Sequence, residues 1–401
     1  MEVEHKMLTK IDEAMQRYID EAIVPGVSFL ILKDTEIIYE RHLGFANIES
    51  KAPLSADAIF RIASNTKLIT SVVLMMLYEQ GKFGLDDGVH HYLPAFGDMT
   101  VLRPNAKSLD DVESAESPMT IRQLLSHSAG LSYGFVEPES VIDQAYNAAG
   151  LGGLGGTEVD LAAYTDAVAN LPLAYQPGSN WRYSVATDIC GRLIEVLSGK
   201  RLDQAIDDLL LQPLGMADTG FYVKPENRDR LCTLYAPLEP FKPMQGGLQA
   251  MPASADFSAD ERPRFLSGGG GMVSTLHDYA RFIQMIVNQG QWHGHQYLLP
   301  ETLRLMRENQ LAEGVSVNFP FWPMPGTVFG LGFAVKQKPD AQESKLAVNE
   351  YHWGGLLGTH SWIAPEAGVS GLCFTQRMPG FWHPFSHEFK HLVYAAAEAG
   401  L

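Results

Sequence analysis

A serine and a lysine three residues apart, Ser64 and Lys67, are the side chains whose types and spacing could do covalent chemistry. Residues i and i+3 share a helix face, and the apolar run 72–77 that follows predicts a buried helix. If this helix begins near Ser64, the hydroxyl and the ammonium meet beside the free N–H groups of the first helical turn. A nucleophilic serine needs a base or cation nearby and donors for an oxyanion. The motif is short enough to occur by chance, so the remaining groups must come from elsewhere in the chain.

Two later stretches could complete such a site. Tyr183 follows a turn at 177–180 and precedes a predicted helix, so its side chain can project from a loop into a cleft. Trp353, Gly354 and Gly355 lie near the C-terminus, where glycines at a strand edge let a substrate approach the backbone closely.

Taken together, three short motifs resemble those of the serine β-lactamase/penicillin-binding fold in their order and spacing. They are Ser64-Asn65-Thr66-Lys67, Tyr183-Ser184-Val185 and Trp353-Gly354-Gly355. More narrowly, the chain resembles the family VIII carboxylesterases within the class C β-lactamase-like group. The resemblance runs from about residue 10 to about residue 397, and three further phrases are typical of the group: 124–131, 212–216 and 267–272.

The resemblance implies a role for each motif. Ser64 would be the acylated nucleophile, and Lys67 and Tyr183 would share the proton transfers. The backbone N–H groups of Ser64 and Leu356 would form the oxyanion hole. Which of Lys67 and Tyr183 acts as the base stays open, and the two are treated as one coupled unit. No cofactor and no metal are expected.

Two positions depart from the β-lactamase pattern. Lactamases of this class carry Lys-Thr-Gly where this chain has Trp353-Gly354-Gly355, and usually Asn where it has Val185. Losing a cation that pairs with a substrate carboxylate costs about 1.5–3 kcal/mol. Penicillins and cephalosporins should therefore be poor substrates at best. His352 could begin a His-x-Gly motif of related aminopeptidases, but the spacing to Gly358 aligns Trp353 with the first motif position instead.

The expected activity is that of a serine carboxylesterase that hydrolyses small neutral esters, short-chain or aryl, through an acyl-enzyme on Ser64. An acyltransferase of the same fold, a weak β-lactamase or D-amino-acid peptidase, and a catalytically silent scaffold are the alternatives. Aromatic content suggests the aromatic loop 319–326 as part of the pocket. The residues expected to bind substrate are Tyr133, Trp181, Trp353, Gly354 and Gly355.

Three other stretches match motifs of different protein classes. Residues 130–134 match the Gly-x-Ser-x-Gly elbow around Ser132, but that elbow needs a strand before the serine, and here a helix is predicted. Residues 387–391 match the His-Glu-x-x-His zinc pattern, with Glu398 as the sole downstream candidate for a third ligand. Residues 150–155 match a dinucleotide fingerprint without the strand that should precede it.

The order of predicted elements indicates an α/β (α+β) fold. One antiparallel sheet would be built from both termini and flanked by helices, with a mostly helical inserted domain. We expect residues 1–85 and 265–401 to form the sheet domain, residues 86–264 the insertion, and the active site to lie between them. The predicted helices are 4–22, one from Ser64, one within 118–131 that begins at Thr120 and stops at Gly130, 161–170, 187–197, 202–211, 277–288 and 385–399. The predicted strands are 27–32, 36–40, 329–336, 361–365 and 369–376.

The net charge and the hydrophobic content of the chain indicate which kinds of molecule it can bind. The 401 residues carry a formal net charge of −17 and are 46% hydrophobic, so the chain can bury a large core and should repel phosphate backbones and anionic lipid. Neither nucleic acid nor a membrane is an expected partner, and the ligand should be a small-molecule ester. Three scattered cysteines exclude a disulfide framework, and the N-terminus has no apolar signal, so a cytoplasmic protein is expected. The oligomeric state is left open.

Overall fold

The computed structural model describes residues 2–152, 158–252, 262–320 and 322–401, with the side chains described from Met7 onward. Its helices are α1 Glu2–Asp20, α2 Thr66–Glu79, α3 Ile121–Leu125, α4 Val141–Ala148, α5 Leu161–Ala169, α6 Ala186–Ser198, α7 Leu202–Ile206, α8 Gln212–Leu214, α9 Leu276–Val287, α10 Pro300–Arg307 and α11 Pro384–Glu398. Its strands are β1 Gly26–Lys33, β2 Glu36–Asn47, β3 Ala52–Pro53, β4 Ile59–Arg61, β5 Thr100–Leu102, β6 Val112–Ser114, β7 Tyr235–Pro237, β8 Leu248–Ala250, β9 Val273–Thr275, β10 Gln291–Trp292, β11 His295–Gln296, β12 Asn318–Phe319, β13 Trp322–Pro323, β14 Thr327–Phe329, β15 Ala334–Lys336, β16 Tyr351–Gly355, β17 Thr359–Ala364 and β18 Val369–Phe374.

One antiparallel sheet joins the two ends of the chain, in the order β14-β15-β16-β17-β18-β1-β2-β3. At its centre β1 pairs with β18, for example Phe29 with Cys373, so the first strand lies beside the last. The predicted fold class is confirmed. The exact division at residues 85 and 265 stays a prediction.

Each face of the sheet covers its own core. Successive side chains of a strand point to opposite faces, and β1 shows the pattern: Leu30 and Leu32 belong to the core around α2, whereas Phe29 and Ile31 pack with α1 and α11. Residues 66–77 of α2 are all buried, which explains why this helix has no polar face. No helix among the described residues has the length and apolar character needed to cross a membrane.

Two predicted elements are shorter than expected. Thr120 does cap α3 and forms a capping box with Gln123, but α3 ends at Leu125 because His127 adopts a left-handed conformation (φ 55°) that breaks the helix. The predicted strand 329–336 divides into β14 and β15 around Gly332, whose φ of 94° favours glycine in the turn. Helices α4 and α10 were not predicted.

The buried carboxylate of Glu350 connects α11 to the start of β16. Glu350 accepts from Lys390 Nζ at 2.8 Å and from Tyr394 Oη at 2.6 Å, and its Oε1 lies 2.9 Å from His352 Nδ1. Burial by itself would raise the pKa of Glu350, but Lys390 and His352 outweigh that effect and hold the pKa well below its usual range. Since β16 leads directly to Trp353, this ion pair also fixes the strand that reaches the candidate site.

We expect Glu350→Gln to lower the free energy of unfolding by about 3 kcal/mol near neutral pH, because Lys390 loses its buried partner. A lowered folded-state pKa stabilises the fold above the unfolded-state pKa of about 4.3, and this contribution is lost as the pH falls further. Urea unfolding across that range should therefore show the difference between wild type and variant shrinking as the solution is acidified. The control is Glu366→Gln at an exposed site, and a pH-independent difference for Glu350→Gln would contradict the expectation.

Candidate active site

Ser64 lies in a single 3-10 turn, Ala63–Asn65, directly before α2. The α-helix begins at Thr66, two residues after Ser64 and thus near it as predicted, and Ala63, on the other side of Ser64, has a left-handed φ of 44°. Buried Asn65 holds the turn in place: its Nδ2 donates to Thr359 O at 3.1 Å, and Ser361 Oγ donates to its Oδ1 at 2.9 Å. The β17 backbone and side chains therefore fix the position of the Ser64 hydroxyl.

Lys67 points back from the first turn of α2 to the Ser64 hydroxyl. Its ammonium donates to Gly269 O at 2.5 Å, to Tyr133 Oη at 3.0 Å and to Ser64 Oγ at 3.4 Å. The side chain is only 2% exposed, and the same nitrogen lies 4.7 Å from the centroid of the Tyr183 ring. Three acceptors thus match the three N–H bonds of a charged lysine.

Tyr183 is the closest polar neighbour of the nucleophile candidate. Its hydroxyl lies 2.6 Å from Ser64 Oγ and accepts from Trp353 Nε1 at 3.3 Å. Aromatic rings surround the phenol, among them Trp353 at 5.3 Å and Tyr133 at 5.2 Å between centroids. The loop that carries Tyr183 is therefore held by packing on several sides.

Two backbone donors face the same cavity. Ser64 and Leu356 both line it, and their N–H groups donate to no other group within the described part of the chain. The end of β16 can approach the Ser64 turn only because residue 355 is glycine: a Cβ there would stand 2.4 Å from Ile62 O and 3.1 Å from Ala63 Cβ. The end of β16 is therefore in close contact with the turn that carries Ser64, beside the cavity.

Aromatic side chains form much of the wall of the cavity above Ser64. Of the residues expected to bind substrate, Tyr133, Trp353 and Gly354 line it. Trp181 and Gly355 do not. Trp181 stacks behind Tyr183 with ring centroids 6.4 Å apart, and Gly355 packs against the Ser64 turn. From the predicted loop 319–326, Phe319 contributes to the wall, while Phe321 lies outside the described residues. Aromatic side chains that the sequence did not identify also line the cavity: Phe135, Tyr164, Phe265, Phe381 and Trp382.

Two further titratable groups close to the site were missed by the sequence analysis. Asp188 lines the cavity, and burial raises its pKa although the Lys67 charge opposes the shift. His127 packs 5.1 Å from the Tyr183 ring, and burial, reinforced by Lys67, holds its pKa well below the usual value, so the imidazole is neutral. His127 belongs to the phrase 124–131, and Asp188 lies three residues after the motif Tyr183-Ser184-Val185; this proximity is the only signal that could have indicated them.

The competing motifs find no support among the described residues. Ser132 is fully buried and occupied by Asp143 and Arg182, and helix α3, not a strand, precedes it. Glu388 of the zinc-like motif is bound to Arg17 and Tyr18, and no group of three or more metal-ligating side chains within the described ranges is arranged to hold a metal ion. Residues 153–155 of the Gly-rich motif lie outside the described residues.

The chain has counterparts of similar sequence and fold among known proteins. The beta-lactamase family model matches residues 11–393. The chain belongs to the beta-lactamase family. Esterase EstB of Burkholderia gladioli is 30% identical to this chain over 401 residues. The alignment covers 97% of this chain and 95% of EstB.

Two further proteins are similar to this chain. Protein Rv1367c of Mycobacterium tuberculosis is 32% identical over 367 residues, which cover 90% of this chain and 88% of Rv1367c. The structure of EstCE1, described as a hydrolase with promiscuous acyltransferase activity, superimposes with a TM-score of 0.83 at 27% identity. That alignment covers 98% of this chain and 100% of EstCE1.

We expect Gly355→Ala to slow the labelling of Ser64 by a fluorophosphonate about tenfold or more, because a displaced β16 no longer aligns the Leu356 N–H with the oxyanion. The measurement is the second-order labelling rate, with labelling located by peptide mass spectrometry. Gly220→Ala is the matched control, since a Cβ at Gly220 would meet nothing within 4 Å. An unchanged labelling rate in folded Gly355→Ala would show that this close approach is not needed.

Proposed function

We propose that the protein is a serine carboxylesterase that hydrolyses small neutral esters through an acyl-enzyme on Ser64. The observation that carries the proposal is the hydroxyl of Ser64 in contact with Tyr183, 2.6 Å, and Lys67, 3.4 Å, at the floor of an aromatic cavity. The similarity to esterase EstB supports the same reaction class. We also propose that the chain is one of the family VIII carboxylesterases.

Acylation would use each of these groups. Acylation requires the form of the Tyr183–Lys67 pair that holds one proton fewer than a phenol and an ammonium together, because only this form can accept the Ser64 proton. Ser64 Oγ then bonds to the ester carbonyl carbon while its proton passes to Tyr183, the nearer partner. The carbonyl oxygen becomes an oxyanion that accepts from the N–H groups of Ser64 and Leu356. When the C–O bond breaks, the departing alkoxide takes the proton from the pair.

Deacylation repeats these steps with water. A water molecule in the place of the departed alcohol gives its proton to the Tyr183–Lys67 pair and attacks the acyl carbon. The bond to Ser64 Oγ then breaks, the serine takes the proton back, and the carboxylic acid leaves. The Trp353 N–H remains on the Tyr183 oxygen throughout and fixes its direction toward Ser64.

The wall of the cavity favours neutral over anionic substrates. Trp353 takes the place of the cation that would pair with a substrate carboxylate, and none of the described residues lining the cavity is Lys, Arg or His. The Asp188 carboxyl adds a group that repels anions when ionised. Aromatic walls bind apolar acyl and alcohol groups through burial, which supports short-chain and aryl esters and disfavours β-lactam turnover.

We expect Ser64→Ala to lower kcat for p-nitrophenyl butyrate by a factor on the order of 10⁴, because no covalent intermediate can form. Ser132→Ala and His391→Ala are the controls for the competing motifs, with folding of each variant checked by circular dichroism. Both should keep turnover within about tenfold of wild type. Comparable losses in Ser64→Ala and Ser132→Ala, both folded, would reject Ser64 as the nucleophile.

A second candidate function is acyl transfer. EstCE1 is described as a hydrolase with promiscuous acyltransferase activity, and an apolar cavity admits an alcohol as readily as water. In that reaction the alcohol oxygen would replace water in deacylation, and an ester would form in place of the acid.

Product analysis with added butanol separates the two functions. We expect the free acid to remain the main product from p-nitrophenyl butyrate at millimolar butanol, because water at about 55 M outcompetes a dilute acceptor unless the acceptor is bound specifically. Gas chromatography measures butyl butyrate against butyric acid, with Ser64→Ala as the blank. Ester formed faster than acid under these conditions would make the protein a transferase.

A further inference from the structure

We propose that Asp188 forms a polar subsite in the cavity wall that binds a hydrogen-bond donor, a hydroxyl or an ammonium group, at one end of the ester substrate. The inference rests on the proposed esterase function and extends its substrates from neutral esters to esters that carry a donor, including a cationic ammonium group. The preferred ester would be apolar at one end and would carry a donor at the other.

The two oxygens of Asp188 have different surroundings. Oδ1 accepts from Ser267 Oγ at 2.6 Å and from the Gly269 N–H at 3.0 Å. Oδ2 has no hydrogen-bond partner among the residues that the structure describes, although Asp188 is only 2% exposed and lines the cavity. Oδ2 therefore opens on the cavity, where a donor supplied by the substrate can form the hydrogen bond that water would otherwise make.

Asp188 Oδ2 lies next to the place that a side chain at position 269 would occupy. A Cβ at that position would stand 2.7 Å from Asp188 Oδ2 and 3.0 Å from Tyr133 Oη. Both polar atoms therefore flank one point of the wall that glycine leaves empty. Gly269 O also accepts from Lys67, so this point lies next to the reacting groups.

The cavity has a second, apolar end. Trp353, Phe319 and Phe381 form one aromatic group with centroids 5.4 to 6.3 Å apart. On the Asp188 side, Tyr164 and Phe265 pack against each other at 4.4 Å. Tyr183, which contacts both Trp353 and Tyr133, lies between the two ends. An ester held at Ser64 thus extends toward one apolar end and toward one end where Asp188 supplies an acceptor.

Asp188→Asn tests the subsite because it should reverse the polarity of the wall without changing its shape. Two donors bind at the Oδ1 position, so the amide oxygen of asparagine takes that place. The amide NH2 then occupies the Oδ2 position, and an acceptor becomes a donor. Kcat/KM is measured for two sets of esters of matched shape, in mildly acidic buffer that keeps amines protonated.

The first set varies the acyl group: p-nitrophenyl isovalerate, β-aminobutyrate and acetoacetate present a methyl, an ammonium and a ketone. The second set varies the alcohol: the butyrates of isobutanol, alaninol and hydroxyacetone present the same three groups. Only one of the two sets should respond, because Asp188 would contact only one end of the ester. In that set, the kcat/KM of wild type, taken relative to the methyl reference, should be roughly tenfold higher for the ammonium ester than for the ketone ester. Asp188→Asn should reverse this order.

Ser267→Ala and Asp166→Asn are the controls. The first removes a hydrogen bond to Oδ1 and keeps the carboxylate, and the second removes an exposed charge outside the cavity. Neither should reverse the order of the esters. Because each value is a ratio within one variant, a general loss of activity does not affect the result.

Three outcomes are decisive. Reversal in one set supports the subsite and identifies the end of the substrate that binds there. A wild type that hydrolyses the methyl references but does not discriminate ammonium from ketone in either set overturns the subsite, even if Asp188→Asn does not fold. If the wild type hydrolyses neither of the two methyl references, the proposed esterase function is overturned instead.

Discussion

The burial of the Lys67 ammonium is the constraint on which the site depends. A charged group with 2% exposure is tolerated only when each of its N–H bonds has an acceptor. The acceptors come from three separate parts of the chain: Ser64 in the same turn, Tyr133 after α3, and Gly269 before β9. Folding must therefore bring these segments together before the lysine can be buried, and the same contacts assemble the reacting groups.

A second constraint is the close approach of β16 to the turn that carries Ser64. Gly355 allows the contact, and Thr359 Oγ1 donates to Ile62 O at 2.8 Å to hold it. Both the Leu356 N–H and the Trp353 side chain are positioned by this one strand. Its other end is fixed by the Glu350–Lys390 ion pair. A helix on the far side of the sheet thus helps to position groups that face the cavity.

The cavity combines a largely apolar wall with a small number of polar groups. Ser64, Tyr183 and Asp188 line the cavity, and Lys67, which is not part of the lining, contacts Ser64. Replacement of a motif lysine by Trp353 removes a charge from the wall and adds a donor to Tyr183. A change at one position therefore alters both the substrate that can bind and the support of the phenol.

Much of the architecture could be predicted because it depends on local pattern. The apolar run after Ser64 predicted α2, the Thr120 cap predicted the start of α3, and strands near both termini predicted a sheet made from both ends. The resemblance of the three motifs to those of the serine β-lactamase/penicillin-binding fold indicated which residues would meet at the site. Where local pattern and backbone conformation disagree, as at His127 and Gly332, the predictions ran too long, because a single left-handed residue ends an element that its neighbours favour.

The sequence by itself determined the fold class, the three segments that meet and the absence of a motif cation, because these follow from residue type and order. Only the tertiary structure decided that Trp181 and Gly355 stand behind the cavity wall and that Asp188 faces into it. Whether an aromatic ring or a glycine faces the ligand depends on packing between segments that are distant in the sequence. The local pattern of residues does not specify that packing.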